Sequence, residues 1–318
     1  MSIVATPKRA ALITGVAGTI GSKIADHLAG QNKQLIGLYR NKLPSSHKNV
    51  LPLCSDLMST DSIHAPLKST DTVIHLAWQG GVLGASSSRI IDSTEEHIRS
   101  SQNVMMTINL VRAMERVNAR KIIFLSWVGV DRKASSTMLR EKYWAENAVI
   151  NSSIPEKIII RAGILGGSGM ETEFFKAADS VTRMPIFLPL PRSADGLVLT
   201  TMKDIFWAVD EALKVSSGQE AYCRVVDLTS TTPTTGAELL AAMDSKKRGK
   251  QRLTLGGFFG DLLFRWAVKK FGTAKINEPR ITDFFVAGKL VEKSPAAGIP
   301  ATRLGMHIGH PTDVASAL

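Results

Sequence analysis

The ten residues Leu12-Ile13-Thr14-Gly15-Val16-Ala17-Gly18-Thr19-Ile20-Gly21 constrain the fold of this chain more than any others. An apolar run from Ala10 to Ile13 reads as a buried strand. Three glycines follow at G-x-x-G-x-x-G spacing, and then Ile20, Ile24 and Leu28 recur at helical spacing. A strand that turns on glycine directly into a helix is the opening of a βαβ unit. Gly15 permits the tight turn, Gly18 lets a ligand reach the backbone, and Gly21 lets helix and strand approach each other. The first turn, with Thr19 and Ile20, presents free N–H groups and the positive end of the helix dipole, which favours an anion such as a pyrophosphate. The pattern predicts a dinucleotide site.

The rest of the first 165 residues repeats the alternation. Strands are expected at Ala10–Thr14, Gln34–Tyr39, Thr72–Ala77, Lys121–Ser126 and Lys157–Ala162. Helices are expected at Ile20–Ala29, Asp92–Val117 and Leu139–Asn151. Apolar strands alternating with helices predict an α/β fold with a doubly wound parallel sheet. After Arg161 the pattern changes to a glycine-rich stretch, Gly163 to Gly169, and a proline-rich one, Met184 to Pro191, expected to project from the sheet over a ligand. Thr201-x-x-Asp204 and Thr235-x-x-Glu238 have capping-box spacing, and Tyr222–Leu228 is a candidate late strand of the main sheet. The expected division is a nucleotide-binding core at 1–165, joined by 198–230, and a smaller C-terminal region at 166–197 and 231–318. Within that region Gly256–Phe271 is amphipathic.

Composition narrows the class. No apolar run is long enough to span a membrane, and the start of the chain lacks a signal-peptide layout, so a cytoplasmic protein is expected. The two cysteines, Cys54 and Cys223, have no motif spacing and read as reduced, mostly buried thiols; no His/Cys cluster suggests a metal. Residues 246–318 hold 13 Lys/Arg against 5 Asp/Glu, which is +8 of the chain's +11. Such a quarter is either a solvated surface or a contact for an anionic membrane or acidic protein; with no nucleic-acid motif beside it, no nucleic-acid partner is expected.

Five motifs in order resemble the short-chain dehydrogenase/reductase superfamily in its extended or atypical branch, over roughly residues 8–230. They are Thr14-Gly15-x-x-Gly18-x-x-Gly21, Cys54-Ser55-Asp56-Leu57, Asp71-Thr-Val-Ile-His-Leu-Ala77, Asn103 with Thr107, and the helix start at Val198–Leu213 with Asp204. The resemblance implies a Rossmann fold, adenine beside Asp56 and Leu57, and cofactor passing Ala77. The second strand ends Leu38-Tyr39-Arg40-Asn41-Lys42, with two bases and no acid. An NAD site wants a carboxylate here for the ribose 2′-OH, whereas Arg40 suits a 2′-phosphate, so NADP(H) is favoured over NAD(H).

The catalytic half departs from the family pattern. Reductive members use Tyr-x-x-x-Lys with a serine one element earlier. Here the register through Lys142-x-x-Ala145-Glu146 puts Met138 at the tyrosine position, and a thioether donates no proton. Tyr143, one residue past Lys142, is expected to pack against the core. In Phe124-Leu125-Ser126-Trp127 the strand register puts Trp127 where the catalytic hydroxyl stands, and a one-residue slip restores Ser126 as a substrate contact. Proton donors in place of the tyrosine are His75, Tyr143 or water, although a histidine inside an apolar strand is more often structural. Arg161 is read as structural. Trp78, Gln79 and Trp127 are the expected substrate contacts; Lys142, Ser126 and Asn103 are the expected catalytic set, with Lys142 also on the nicotinamide ribose. The reading implied is an NADP(H)-dependent oxidoreductase for a small carbonyl, quinone or conjugated substrate. The alternatives are a non-catalytic NADP-binding sensor or assembly subunit and, more weakly, a nucleotide-sugar epimerase or dehydratase.

Overall fold

The computed structural model describes residues 11–41, 49–79, 94–134, 137–166, 199–215 and 220–228, with the short segments 190–191, 196–197, 234–235 and 254–255 and residue 243. Seven parallel strands form the central sheet: β1 (Ala11–Thr14), β2 (Leu35–Tyr39), β3 (Val50–Cys54), β4 (Thr72–His75), β5 (Lys121–Trp127), β6 (Glu156–Ala162) and β9 (Tyr222–Leu228). Their order across the sheet is β9-β6-β5-β4-β1-β2-β3. The chain therefore winds outward from β1 to one edge, returns to pair β4 on the other side of β1, and winds to the opposite edge. The doubly wound expectation holds, and Tyr222–Leu228 joins the main sheet beside β6.

Both faces of the sheet are covered. On one lie α1 (Thr19–Gly30) and α6 (Met202–Lys214), whose Ile24, Leu28, Ile205 and Val209 bury against Ile13, Ile74, Ile123 and Ile160. On the other lie α2 (Thr60–Leu67), α4 (Gln102–Arg116) and α5 (Thr137–Ile150), with Leu110, Met114, Ala145 and Val149 against Leu12, Val73, Ile122 and Ile159. Strands buried on both faces carry continuous apolar runs, which explains why their sequence signal was strong.

Several details differ from expectation. The helix expected at Asp92–Val117 is two helices, α3 (Glu95–Arg99) and α4. Thr94 Oγ1 accepts from His97 N and Ser101 Oγ from Val104 N, so each start has its own cap, and hydroxyls that bond nearby backbone break the run at Ser100–Ser101. Cys54 and Cys223 are free but exposed, not buried, because they lie on β3 and β9, the two edges of the sheet. Ile164–Gly166 (β7) does not stay loop-like; it pairs in parallel with Leu199–Thr201 (β8) as a two-stranded extension just past β6. The Thr201/Asp204 capping box is formed in both directions. Thr234–Thr235 is a short strand, while Glu238 and the amphipathic stretch Gly256–Phe271 lie outside the described residues. Among the described residues, no helix is long and apolar enough to cross a membrane, and no group of three or more His, Cys, Asp or Glu could hold a metal.

Buried charges lock this framework. The Lys121 ammonium donates to the carbonyls of Ala212 (3.1 Å), Leu213 (3.4 Å) and Val215 at the C-terminal end of α6, and pairs with Glu156 at 3.2 Å. A cation there satisfies otherwise orphaned carbonyls and opposes the negative end of the helix dipole. Arg161 binds Glu146 of α5 through two bonds of 2.9 and 2.6 Å and approaches Asp227 of β9 at 3.8 Å, which ties β6 to its neighbours and bears out its structural reading.

Candidate functional site

The chain reverses its winding direction between β1 and β4, and ligands of open α/β sheets bind at the carboxyl ends of strands at such a point. A cavity of about 210 Å³ lies there. It is lined by Thr14, Gly15, Ala17 and Gly18 after β1, by Leu38, Tyr39 and Arg40 at the end of β2, and by Ser55, Asp56 and Leu57 after β3. Leu76, Ala77, Trp78 and Gln79 after β4, and Met106 of α4, complete the wall. The structure thus brings together eight of the expected cofactor and substrate residues: Gly15, Gly18, Arg40, Asp56, Leu57, Ala77, Trp78 and Gln79. Thr19, Ile20 and Gly21 stand beside them in the first turn of α1.

The glycines are dictated by distance. Gly15 has φ +71°, and a Cβ there would stand 2.8 Å from Ala77 Cα. A Cβ on Gly21 would stand 2.1 Å from the Gly15 carbonyl oxygen. Gly18 is the N-cap of α1 and no side chain caps that helix, so its first turn presents backbone to the cavity. A cradle that added side chains would fill, at an uncapped helix start, fits a pyrophosphate.

A directional chain of hydrogen bonds fixes this cradle to its neighbours. The N–H groups of Leu76 and Ala77 both donate to Thr14 Oγ1 at 3.1 Å. The Thr14 hydroxyl hydrogen then points to His75 Nδ1, 2.7 Å away, and Nδ1 accepts. His75 Nε2 carries the ring hydrogen and donates to Thr107 Oγ1 (3.0 Å), whose hydroxyl donates to the Asn103 carbonyl (3.1 Å). His75 is fully buried and neutral: burial, reinforced by the nearby Lys142 charge, holds its pKa down at about 3. With both nitrogens engaged it is a strut, as the apolar context suggested.

The chain continues through the Asn103 side chain, whose Oδ1 accepts from Gln79 N (2.7 Å). Its Nδ2 donates to the Gln79 carbonyl (3.0 Å) and to Glu141 Oε2 (2.9 Å). Asn103 therefore clamps the Trp78–Gln79 backbone. Gln79 turns its own side chain toward Arg40 at the end of β2. Oriented with its oxygen to the guanidinium, its amide accepts from Arg40 Nη1 and Nη2 at 2.6 and 2.9 Å and pairs with the Gln102 amide at 2.8 and 3.1 Å. On the far side, Asn109 donates to the carbonyls of Leu57 and Met58 at 3.1 and 3.2 Å, which fixes the Asp56–Leu57 edge to α4.

Lys142 sits behind Trp78. Its ammonium donates to the Leu125 carbonyl (2.8 Å) and lies 3.6 Å from the Trp78 ring centroid and 4.8 Å from that of Phe124. Burial pulls its pKa down to about 7 against the opposing influence of Glu146 and Glu141. Ser126 is 2% exposed and its hydroxyl has no partner, while Trp127 packs with Met138 and Tyr143 against Val130, Ala134 and Leu139. Neither lines the cavity. Tyr143 meets Trp144 edge-on and belongs to that apolar cluster, as expected. Gln102 and Glu141 complete the site's support without having been singled out, and Thr14 entered only as the first residue of the glycine motif.

Residues 11–137 match the model of the NAD dependent epimerase/dehydratase family. The resemblance read from the motifs is thereby borne out, and the nucleotide half carries the signature of that family. No curated protein matches the chain. Solved structures show the same fold at low identity. An NADPH-dependent quinone oxidoreductase from Escherichia coli, complexed with NADPH, is 17% identical with a TM-score of 0.63, over 96% of this chain and 97% of that one. A UDP-N-acetylglucosamine 4-epimerase from Bacillus cereus is 16% identical with a TM-score of 0.56, covering 86% and 98%. A UDP-glucose 4-epimerase from Thermotoga maritima, with UDP-glucose, is 18% identical with a TM-score of 0.56, covering 78% and 85%.

Proposed function

We propose that this epimerase/dehydratase-type chain binds a nicotinamide dinucleotide phosphate and is an NADP(H)-dependent oxidoreductase. The observation that carries the reading is the Arg40 guanidinium on the wall of a glycine-cradled cavity, at a strand end that holds no carboxylate. Gly15–Gly21 would hold the pyrophosphate, Asp56 and Leu57 the adenine edge and Arg40 the 2′-phosphate, with Lys142 the residue expected on the nicotinamide side. That pairing of charge with 2′-phosphate is one of geometry, since a planar guanidinium takes phosphate oxygens two at a time. The similarity to the quinone oxidoreductase that binds NADPH supports it.

Bound nicotinamide supplies or accepts a hydride; the chain's residues do the remainder. Trp78 covers the Lys142 ammonium, and burial lowers the pKa of that group to about 7, so both of its protonation states are populated at neutral pH. His75 is spent on structure, Tyr143 is packed away, and residue 138 is methionine. Substrates whose reduced atom is protonated by solvent suit such a site: a quinone, an iminium ion or a conjugated alkene. NADPH oxidation followed by absorbance across a panel of carbonyls, quinones and conjugated alkenes tests this. Saturable turnover with a quinone or conjugated alkene is expected, and none with any compound would contradict it.

One observation favours a second reading, a cofactor-binding sensor or assembly subunit: Met138 and Trp127 close an apolar cluster where the reductive machinery of the family stands. That reading expects tight binding without turnover and a partner that distinguishes the oxidised from the reduced cofactor. The epimerase chemistry of the sugar-nucleotide relatives ranks below both, because it leans on the tyrosine replaced by Met138.

A further inference from the structure

We propose that Gln79 sets selectivity at the cofactor's 2′ position, by holding the Arg40 guanidinium in place on the cavity wall; this rests on the dinucleotide reading above. Arg40 is an exposed residue at the end of β2, where a long side chain free in solvent samples many rotamers. Here it does not stand free. Gln79, 39 positions further on and one strand beyond β1, accepts from both terminal nitrogens of its guanidinium.

Gln79 is itself fixed at every polar atom: by the Asn103 clamp on its backbone N–H and carbonyl, and by the Gln102 amide on its side chain. The positioning thus traces to α4, a rigid element. Two of the guanidinium's five N–H groups are occupied by Gln79, and three remain for phosphate oxygens. The amide is neutral, so the arginine keeps its full charge for the ligand. Ordering the side chain before the ligand arrives removes an entropy cost that would otherwise fall on binding the 2′-phosphate, and leaves the binding of a 2′-hydroxyl form unaffected.

Calorimetric titration of the full chain with NADPH and NADH, for the unmodified protein and for Gln79→Ala and Gln79→Glu, tests the inference. Gln79→Ala is expected to weaken NADPH about 5- to 10-fold by releasing Arg40, with NADH held within about twofold. Gln79→Glu preserves size but pairs the guanidinium with a carboxylate and repels the phosphate, so NADPH falls further, about tens-fold, while NADH again stays within about twofold. Unchanged NADH affinity reports an intact fold and pyrophosphate cradle. A selectivity ratio unaltered in both variants, or NADPH and NADH weakened equally, overturns the inference. If that occurs while the unmodified protein still prefers NADPH and Arg40→Ala abolishes the preference, the Gln79 inference alone has failed. If the unmodified protein shows no preference, the reading beneath it has failed as well.

Discussion

The Lys142 ammonium lies 3.6 Å from the centre of the Trp78 ring, so the aromatic face covers a buried cation whose pKa has fallen to about 7. Cation–π attraction and the bond to the Leu125 carbonyl offset part of the desolvation, but the depressed pKa shows that burial prevails. A lysine whose folded pKa lies below its unfolded value binds fewer protons folded than unfolded between the two. Stability therefore rises with pH from about 7 toward 10.5. Urea midpoints measured between pH 7 and 9.5 should climb in the native chain, and Lys142→Met should flatten that slope. A slope that persists undiminished in the variant would place its origin elsewhere.

The Thr14–His75–Thr107 chain leads to an acid effect of opposite placement. His75 is held neutral down to about pH 3, so its contribution is whole above pH 6.5 and is lost as pH falls from there toward 3. His75→Phe removes the acceptor of one buried hydroxyl and the donor to another, and should cost about 2–4 kcal/mol at pH 7. The same variant should lose stability less steeply than the native chain between pH 6.5 and 4. Chemical denaturation at a series of pH values reads both quantities.

The glycine cradle predicts a graded set of substitutions. Gly21→Ala drives a methyl to 2.1 Å from a backbone oxygen and should destabilise by about 3 kcal/mol or more, at the upper end of overpacking costs. Gly15→Ala meets both a positive φ and the Ala77 backbone, and should abolish dinucleotide binding. Gly30, at the far end of the same helix, has nothing within 4 Å of an added Cβ, so Gly30→Ala should be neutral or stabilise by up to about 1 kcal/mol. Thermal unfolding of the three variants checks the order.

Lys121 carries a structural prediction remote from the cavity. Lys121→Met strands the last carbonyls of α6 and takes a cation from buried Glu156, at a cost of roughly 3–5 kcal/mol. Dinucleotide affinity of the folded fraction should be unchanged. A parallel loss of affinity, at temperatures where the variant is folded, would argue that α6 supports the cradle.

Much of this was legible in the amino-acid order because doubly buried strands leave unbroken apolar runs. Ile13, Ile74, Ile123 and Ile159 each lie in such a run, and each strand was placed within two residues. Strand β3 and helix α2 were not foreseen: β3 is an edge strand with Leu51 and Pro52 exposed, so its signal is diluted by polar context and a proline. The break at Ser100–Ser101 depends on which hydroxyls bond backbone, which periodicity does not report. In the site, the glycines and Arg40 declare themselves by spacing. The Arg40–Gln79 contact does not, because it exists only once the ends of β2 and β4 are set on either side of β1. His75 similarly takes its role from Thr14 and Thr107, residues 61 and 32 positions away.

The most direct test of the account is calorimetric titration of the cofactor-stripped chain with NADPH, NADH and their oxidised forms, repeated on Arg40→Ala. The account predicts tighter binding of NADPH than NADH in the native chain, and loss of that preference, with NADH binding retained, in the variant. Equal binding of the two cofactors by the native chain, or a preference that survives the loss of Arg40, would contradict it.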